Sequence, residues 1–201
     1  MIGVSACASS EVKKGSREDI EQQLDEMKKV YPTKNVEDLF EIFPDGFEIE
    51  QTVSTGEEFK VLHLEGDAET KELKGYLDID DRRILVNYNN DKLMSTEESN
   101  LSQFWPYKGF IFEFYGIDRE KLSKLEMQKK SYTYENGDFS IEYYAQNNLF
   151  NNYLQFATDK KLILKFPGAK AKLVPGYHHA LYVEYETFRY TELVSEYITT
   201  P

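Results

Sequence analysis

The residues whose types and spacing suit covalent chemistry stand at the start of the chain. Val4-Ser5-Ala6-Cys7 places a branched apolar residue and two small ones directly before the only cysteine. This is the pattern of a lipobox. Small side chains let an extended backbone enter a signal-peptidase groove, and the apolar residue three places before the cysteine fills a pocket there. The thiol is acylated before cleavage after Ala6. The pattern predicts lipidation of Cys7 and an exported chain of bacterial source. A secretory signal has a basic start and an apolar stretch of roughly 7–15 residues before its cleavage site. Met1 to Ala6 supply neither, so the expectation rests on a reading frame that continues upstream. If Met1 is the true start, the alternative is a cytosolic protein.

Other candidate chemistry is sparser. His178 and His179 are adjacent, and on a strand adjacent side chains point to opposite faces. His63 is the only other histidine, so a zinc site would need carboxylates gathered from distant segments. The reading is a polar surface pair and no metal. Glu184 and Glu186 lie at strand spacing, as if on one face. Paired acids do glycosidase work at separations of roughly 5–9 Å, but with 36 Asp and Glu in the chain such spacings arise by chance. No Gly-x-Ser-x-Gly elbow, phosphate loop or zinc-protease motif is present. The expectation is therefore no catalysis and no cofactor, with a small cell-envelope enzyme, glycan hydrolase-like, as the alternative. The run Phe104-Trp105-Pro106-Tyr107 falls in or beside a loop. Trp105 and Tyr107 are the candidate binding surface, because such rings bury large area at small entropy cost. Tyr143, Tyr144, Tyr182, Tyr185 and Tyr190 read mainly as sheet-core aromatics.

Composition bounds the partners. The chain has 201 residues, 14% of them aromatic, with a net charge of −12. Nucleic acid rewards clustered Lys and Arg, so this charge argues against it, and equally against electrostatic docking on anionic lipid. No stretch approaches the roughly 18 apolar residues of a membrane-spanning helix. Any attachment must come from lipid on Cys7, for which two or three acyl chains suffice, or from the missing signal. The expected partners are a membrane, through that anchor, and a protein on a host or in the envelope. One cysteine forms no internal disulfide.

These residues must be positioned by the elements that follow. Residues 1–15 read as a signal remnant and a flexible tether, too polar to offset the entropy of ordering, and 16–201 as one α+β domain. Ser16 caps a helix with acidic residues in its first turn, carrying Ile20, Leu24, Met27 and Tyr31 on one stripe until Pro32. Asn35 caps a shorter helix with Val36, Leu39, Phe40 and Phe43. Alternation over 47–53, with Phe47, Ile49 and Val53 on one face, starts a four-strand antiparallel meander through residue 88. Residues 89–108 read as loop with a helical turn. Phe110 to Tyr115 reads as a strand and Asp118 caps a short helix. Strands flank Asn136-Gly137, a brief helix lies near 147–154, and Leu162 to Phe166 and Ala180 to Phe188 complete the sheet across a Pro167-Gly168 turn. The tail from Tyr190 has no assigned element. Because strands follow strands, the expected fold is α+β, a curved antiparallel sheet of meander and hairpin strands with N-terminal helices packed against it. Its strand-rich halves span about 47–88 and 108–188.

Tyr31-Pro32-Thr33-Lys34-Asn35-Val36-Glu37-Asp38-Leu39-Phe40, followed by Asp45-Gly46-Phe47, resembles the opening of the mature domain in the staphylococcal tandem-type lipoproteins. Val61-Leu62-His63-Leu64 with Gly75-Tyr76 is similar to that family's next block. Lys161 to Phe166 with Tyr182 to Phe188 is similar to its closing hairpin. The chain departs from that family in its many acidic residues, since relatives are often lysine-rich. The resemblance implies a lipoprotein on the extracytoplasmic face of the bacterial cell membrane, acting in host contact or envelope biology without established catalysis.

Overall fold

The computed structural model describes residues 12–33, 35–90, 92–145, 148–157, 160–169 and 176–197. Cys7 and the rest of the lipobox, Val4, Ser5 and Ala6, lie outside them. The architecture is mostly one antiparallel sheet. Its strands are β1 (Phe47–Ser54), β2 (Phe59–Gly66), β3 (Leu73–Ile79), β4 (Arg82–Asn89), β5 (Lys92–Met94), β6 (Glu126–Tyr132), β7 (Asp138–Ala145), β8 (Leu162–Ala169), β9 (His178–Tyr185) and β10 (Phe188–Glu196). They lie in the order β5-β4-β3-β2-β1-β10-β9-β8-β7-β6. Two meanders therefore fan outward from a seam where the first strand pairs with the last, Phe47 opposite Glu196 through Ser54 opposite Arg189.

The helices are few and short: α1 (Arg17–Gln23), α2 (Leu39–Ile42), α3 (Ile111–Phe114), α4 (Arg119–Lys124) and α5 (Asn148–Tyr153). The helical share is thus smaller than the α+β expectation carried. Local capping accounts for the first and fourth. Ser16 Oγ accepts from Asp19 N at 3.2 Å, and Asp118 Oδ1 accepts from Lys121 N at 2.8 Å. The predicted stripe Ile20, Leu24, Met27 and Tyr31 is fully buried, although from Leu24 to Lys29 the coil tightens to a 3₁₀ helix. Alternation sets the sheet: β1 buries every second residue, starting at Phe47.

Four expectations are corrected. The strand expected at Phe110 to Tyr115 is the single turn α3, entered through Gly109 at φ +71°. A short run apolar on all sides does not distinguish a strand from a buried turn. Here the backbone bonds to segment 31–33 instead of to a strand, with Thr33 N donating to Phe112 O at 2.9 Å. The Pro167-Gly168 turn is instead the end of β8, opposite Ser140 and Phe139 of β7. Among the described residues β8 pairs with β9 from Ile163 to Lys165, so Pro167 lies beyond that ladder, where a missing N–H is tolerated. The unassigned tail is β10, and within 89–108 the short β5 extends the first meander. Part of the expected tether, residues 12–15, lies among the described residues. Gly15 is buried against Tyr132, and its carbonyl accepts from Lys130 Nζ at 2.7 Å.

Two cross-strand pairs set a phenylalanine opposite a glycine, Phe47 with Gly66 and Phe139 with Gly168. In each pair the ring lies over the glycine, where a Cβ would collide with it. Each ring covers backbone that a side chain would otherwise protect.

Candidate functional site: a buried carboxylate beneath an aromatic recess

The apolar alternation of β1 breaks once, at Gln51 between Ile49 and Val53. That of β10 breaks once, at Glu192 between Tyr190 and Val194. The two breaks face each other, because Gln51 and Glu192 are direct partners across the seam. Both side chains are completely buried. A carboxylate without water needs donors on both oxygens, and the fold supplies them from four directions. Gln51 Nε2 donates to Oε2 at 3.0 Å, Ile111 N also donates to Oε2 at 2.8 Å, and Phe112 N donates to Oε1 at 3.1 Å. Tyr31 Oη donates to Oε1 at 3.2 Å, and Tyr190 Oη lies 3.4 Å from Oε2. Burial pushes the Glu192 carboxyl up to about 7, and these hydrogen bonds pull the other way without cancelling it. Burial, then the nearby Glu192, holds the Tyr31 hydroxyl well above its ordinary value.

The network continues outward. Gln51 Nε2 also lies within donating distance of Gly109 O and Tyr153 Oη, both at 3.2 Å. Tyr153 Oη donates to Gly109 O at 3.0 Å and shares a 2.8 Å bond with Tyr190 Oη. Two acceptors beside the amide nitrogen fix the orientation of Gln51, and its Oε1 has no hydrogen-bond partner among the described residues.

Over this network lies a recess of about 320 Å³, walled by Leu62, Tyr88, Leu101, Trp105 and Tyr107, with Gln51 at its floor and Lys92 and Lys108 on its rim. Trp105 and Tyr107 meet edge to face at 5.1 Å. Their placement needs correction. Trp105 is only 4% exposed, so it is a wall of the recess and not an outward surface. Trp105 N donates to Leu101 O at 2.8 Å, closing a turn that rolls the indole inward. Tyr107 is half-buried, packs on Tyr153 and Tyr190 at 5.9 and 5.7 Å, and is held above its ordinary pKa by burial and then by Glu58.

The other candidates lie apart from this recess; His178 and His179 both line a second cavity of about 890 Å³ with Asp19, Glu26, Glu50 and Asp138. His178 Nδ1 lies 2.8 Å from Ser195 Oγ, and His179 Nε2 lies 3.4 Å from Glu26 Oε2. Glu184 binds Arg189 at 2.8 Å, and Glu186 sits in the following turn at φ 53°, so the two are not a carboxylate pair on one face. Tyr143 and Tyr190 are fully buried core, and Tyr143 Oη donates to the buried Glu21 at 2.8 Å. His63 does find carboxylates close by. Its ligand atom and those of Glu48 and Glu65 all fall within 4.8 Å of one another. One imidazole and two carboxylates on the uncovered side of the sheet fall short of a closed zinc set.

Sequence reasoning missed Gln51, Glu192, Tyr153 and the helical turn that supplies two N–H groups. The signal for the first two was present as single polar interruptions in otherwise apolar strand faces. Neither a protein-family model nor a curated protein matches the chain.

Proposed function

We propose that the chain is a non-catalytic binding module, held by lipid on Cys7 at the extracytoplasmic face of a bacterial membrane, with its binding site at the recess beside Trp105. The observation that carries the binding reading is the recess itself. It is largely apolar and aromatic, with a few placed polar groups, and its volume lies at the lower end of ligand pockets. Two lysines and a glutamine line it rather than two converging carboxylates, which favours binding over the glycan-hydrolase alternative. Glu192 is deeper, and both of its oxygens are already engaged by protein donors, so it serves as scaffold.

The anchor reading is supported by the lipobox Val4-Ser5-Ala6-Cys7 and by the resemblance to the staphylococcal tandem-type lipoproteins. Among the described residues no helix is long and apolar enough to cross a membrane, so in this proposal the lipid does the holding. The partner is a host or envelope component, and the short helices over one sheet face make the domain α+β. Mass spectrometry of the protein from native membranes, expressed from its full upstream reading frame, tests the anchor. A diacylglycerol adduct on Cys7 is expected. An unmodified thiol in the soluble fraction refutes it. Binding is tested separately, by the recess titration described next.

A further inference from the structure

The recess has a polarity that narrows what it takes. Its walls are aromatic and aliphatic, which suits a flat apolar body. Its rim carries Lys92 and Lys108, both exposed and in no ion pair among the described residues. In a chain with 36 acids against 24 bases, the two basic side chains that line the recess are both lysines on its rim. The nearby Glu58 does not cancel them, being engaged with Lys60 at 2.8 Å. At the floor, the fully buried Gln51 keeps its nitrogen turned toward Glu192, Gly109 and Tyr153, which leaves its oxygen as the unmade acceptor. A buried acceptor without a partner costs free energy that a ligand N–H or O–H recovers.

Resting on the binding reading above, we infer that the recess binds a small organic anion with a flat apolar body, its acid group at Lys92 and Lys108 and an N–H or O–H at its inner end facing Gln51. The rim contributes selectivity for charge, and Gln51 contributes selectivity for a donor at the far end of the ring system.

Trp105 is the single tryptophan, so protein labelled with 5-fluorotryptophan gives one ¹⁹F signal, located in the recess wall. Three probes separate the contributions: indole-3-acetate, indole-3-acetamide and benzothiophene-3-acetate, which replaces the ring N–H with sulfur. Saturable displacement of the Trp105 signal by indole-3-acetate is expected below about 1 mM, with each of the other two binding about fivefold more weakly. The exposed double variant Lys92→Gln/Lys108→Gln is expected to keep the free ¹⁹F spectrum and lose the preference for acid over amide. Equal binding of all three probes overturns the inferred ligand class while leaving the recess as a binding site. No saturable shift with any of the three overturns both. A preference for the acid that survives the double variant places the anion elsewhere and also overturns the inference.

Discussion

Glu192→Gln tests the buried network most directly, because the substitution keeps shape and removes the titrating proton. In the folded chain Glu192 releases its proton near pH 7, against an ordinary value of 4.5. Between those two pH values the native state holds a proton that the unfolded state has lost. The number of bound protons is then larger in the native state, so unfolding free energy falls as pH rises across the window and levels off above about 7. A shift of this size corresponds to about 3 kcal/mol in total. The amide of the variant has no such slope, but it turns a donating NH2 toward donors of Gln51 and the 111–112 backbone. That mismatch costs about 2–3 kcal/mol at every pH. Urea unfolding at pH 5, 6, 7 and 8, followed by Trp105 fluorescence, gives both quantities. The stability gap between wild type and variant is expected to shrink by about 3 kcal/mol from pH 5 to pH 8. A constant gap would mean that Glu192 does not titrate in this range. A gap that widens with pH would mean that the converging donors outweigh desolvation and hold the carboxyl below its ordinary value, refuting the reasoning.

Other perturbations follow from single contacts. Gly75→Ala would drive a Cβ into the backbone carbonyl of His63 on β2, and a loss of about 2–3 kcal/mol by urea titration is expected. Asp118→Ala removes the acceptor that caps α4 and should cost about 1 kcal/mol, with Asp118→Asn recovering most of it. Tyr143→Phe takes a donor from the buried Glu21, leaving Arg17 Nε at 2.7 Å as its partner. A loss of about 1–2 kcal/mol, seen as a lower midpoint temperature in thermal unfolding, is expected. Trp105 in its wall position should emit at short wavelength and resist acrylamide quenching until the chain unfolds.

Much of the fold was legible because β4 and β7 alternate cleanly, β1 does so except at Gln51, and turn-forming residues bound the strands of the first meander, and because Ser16 and Asp118 cap their helices by local side-chain chemistry. What escaped was set by distant partners. The pattern at Phe110 to Tyr115 is equally compatible with a strand, and the contact that decides against it is Glu192, 81 residues further along the chain from Ile111. Pro167 reads as a turn residue unless it is known that, among the described residues, the β8–β9 ladder covers only Ile163 to Lys165. Trp105 was legible as a residue of interest, but its inward direction depends on the turn closed by Leu101. Glu192 itself was hidden by the habit of assigning charged residues in strands to solvent. Its two apolar flanks, Tyr190 and Val194, were the counter-signal.

The seam between β1 and β10 has a consequence for how the protein is made. Gln51 and Glu192 are 141 residues apart in the chain, so at the ribosome or during transport β1 must wait for almost the whole domain before its second neighbour exists. Through that interval one long edge, alternating apolar residues from Phe47 to Val53, is open to any other extended strand. Closing so distant a pair is slow. The nascent chain is therefore a natural client for a holding chaperone, and a peptide copying Phe188 to Glu196 should compete for the same edge while the chain is incomplete.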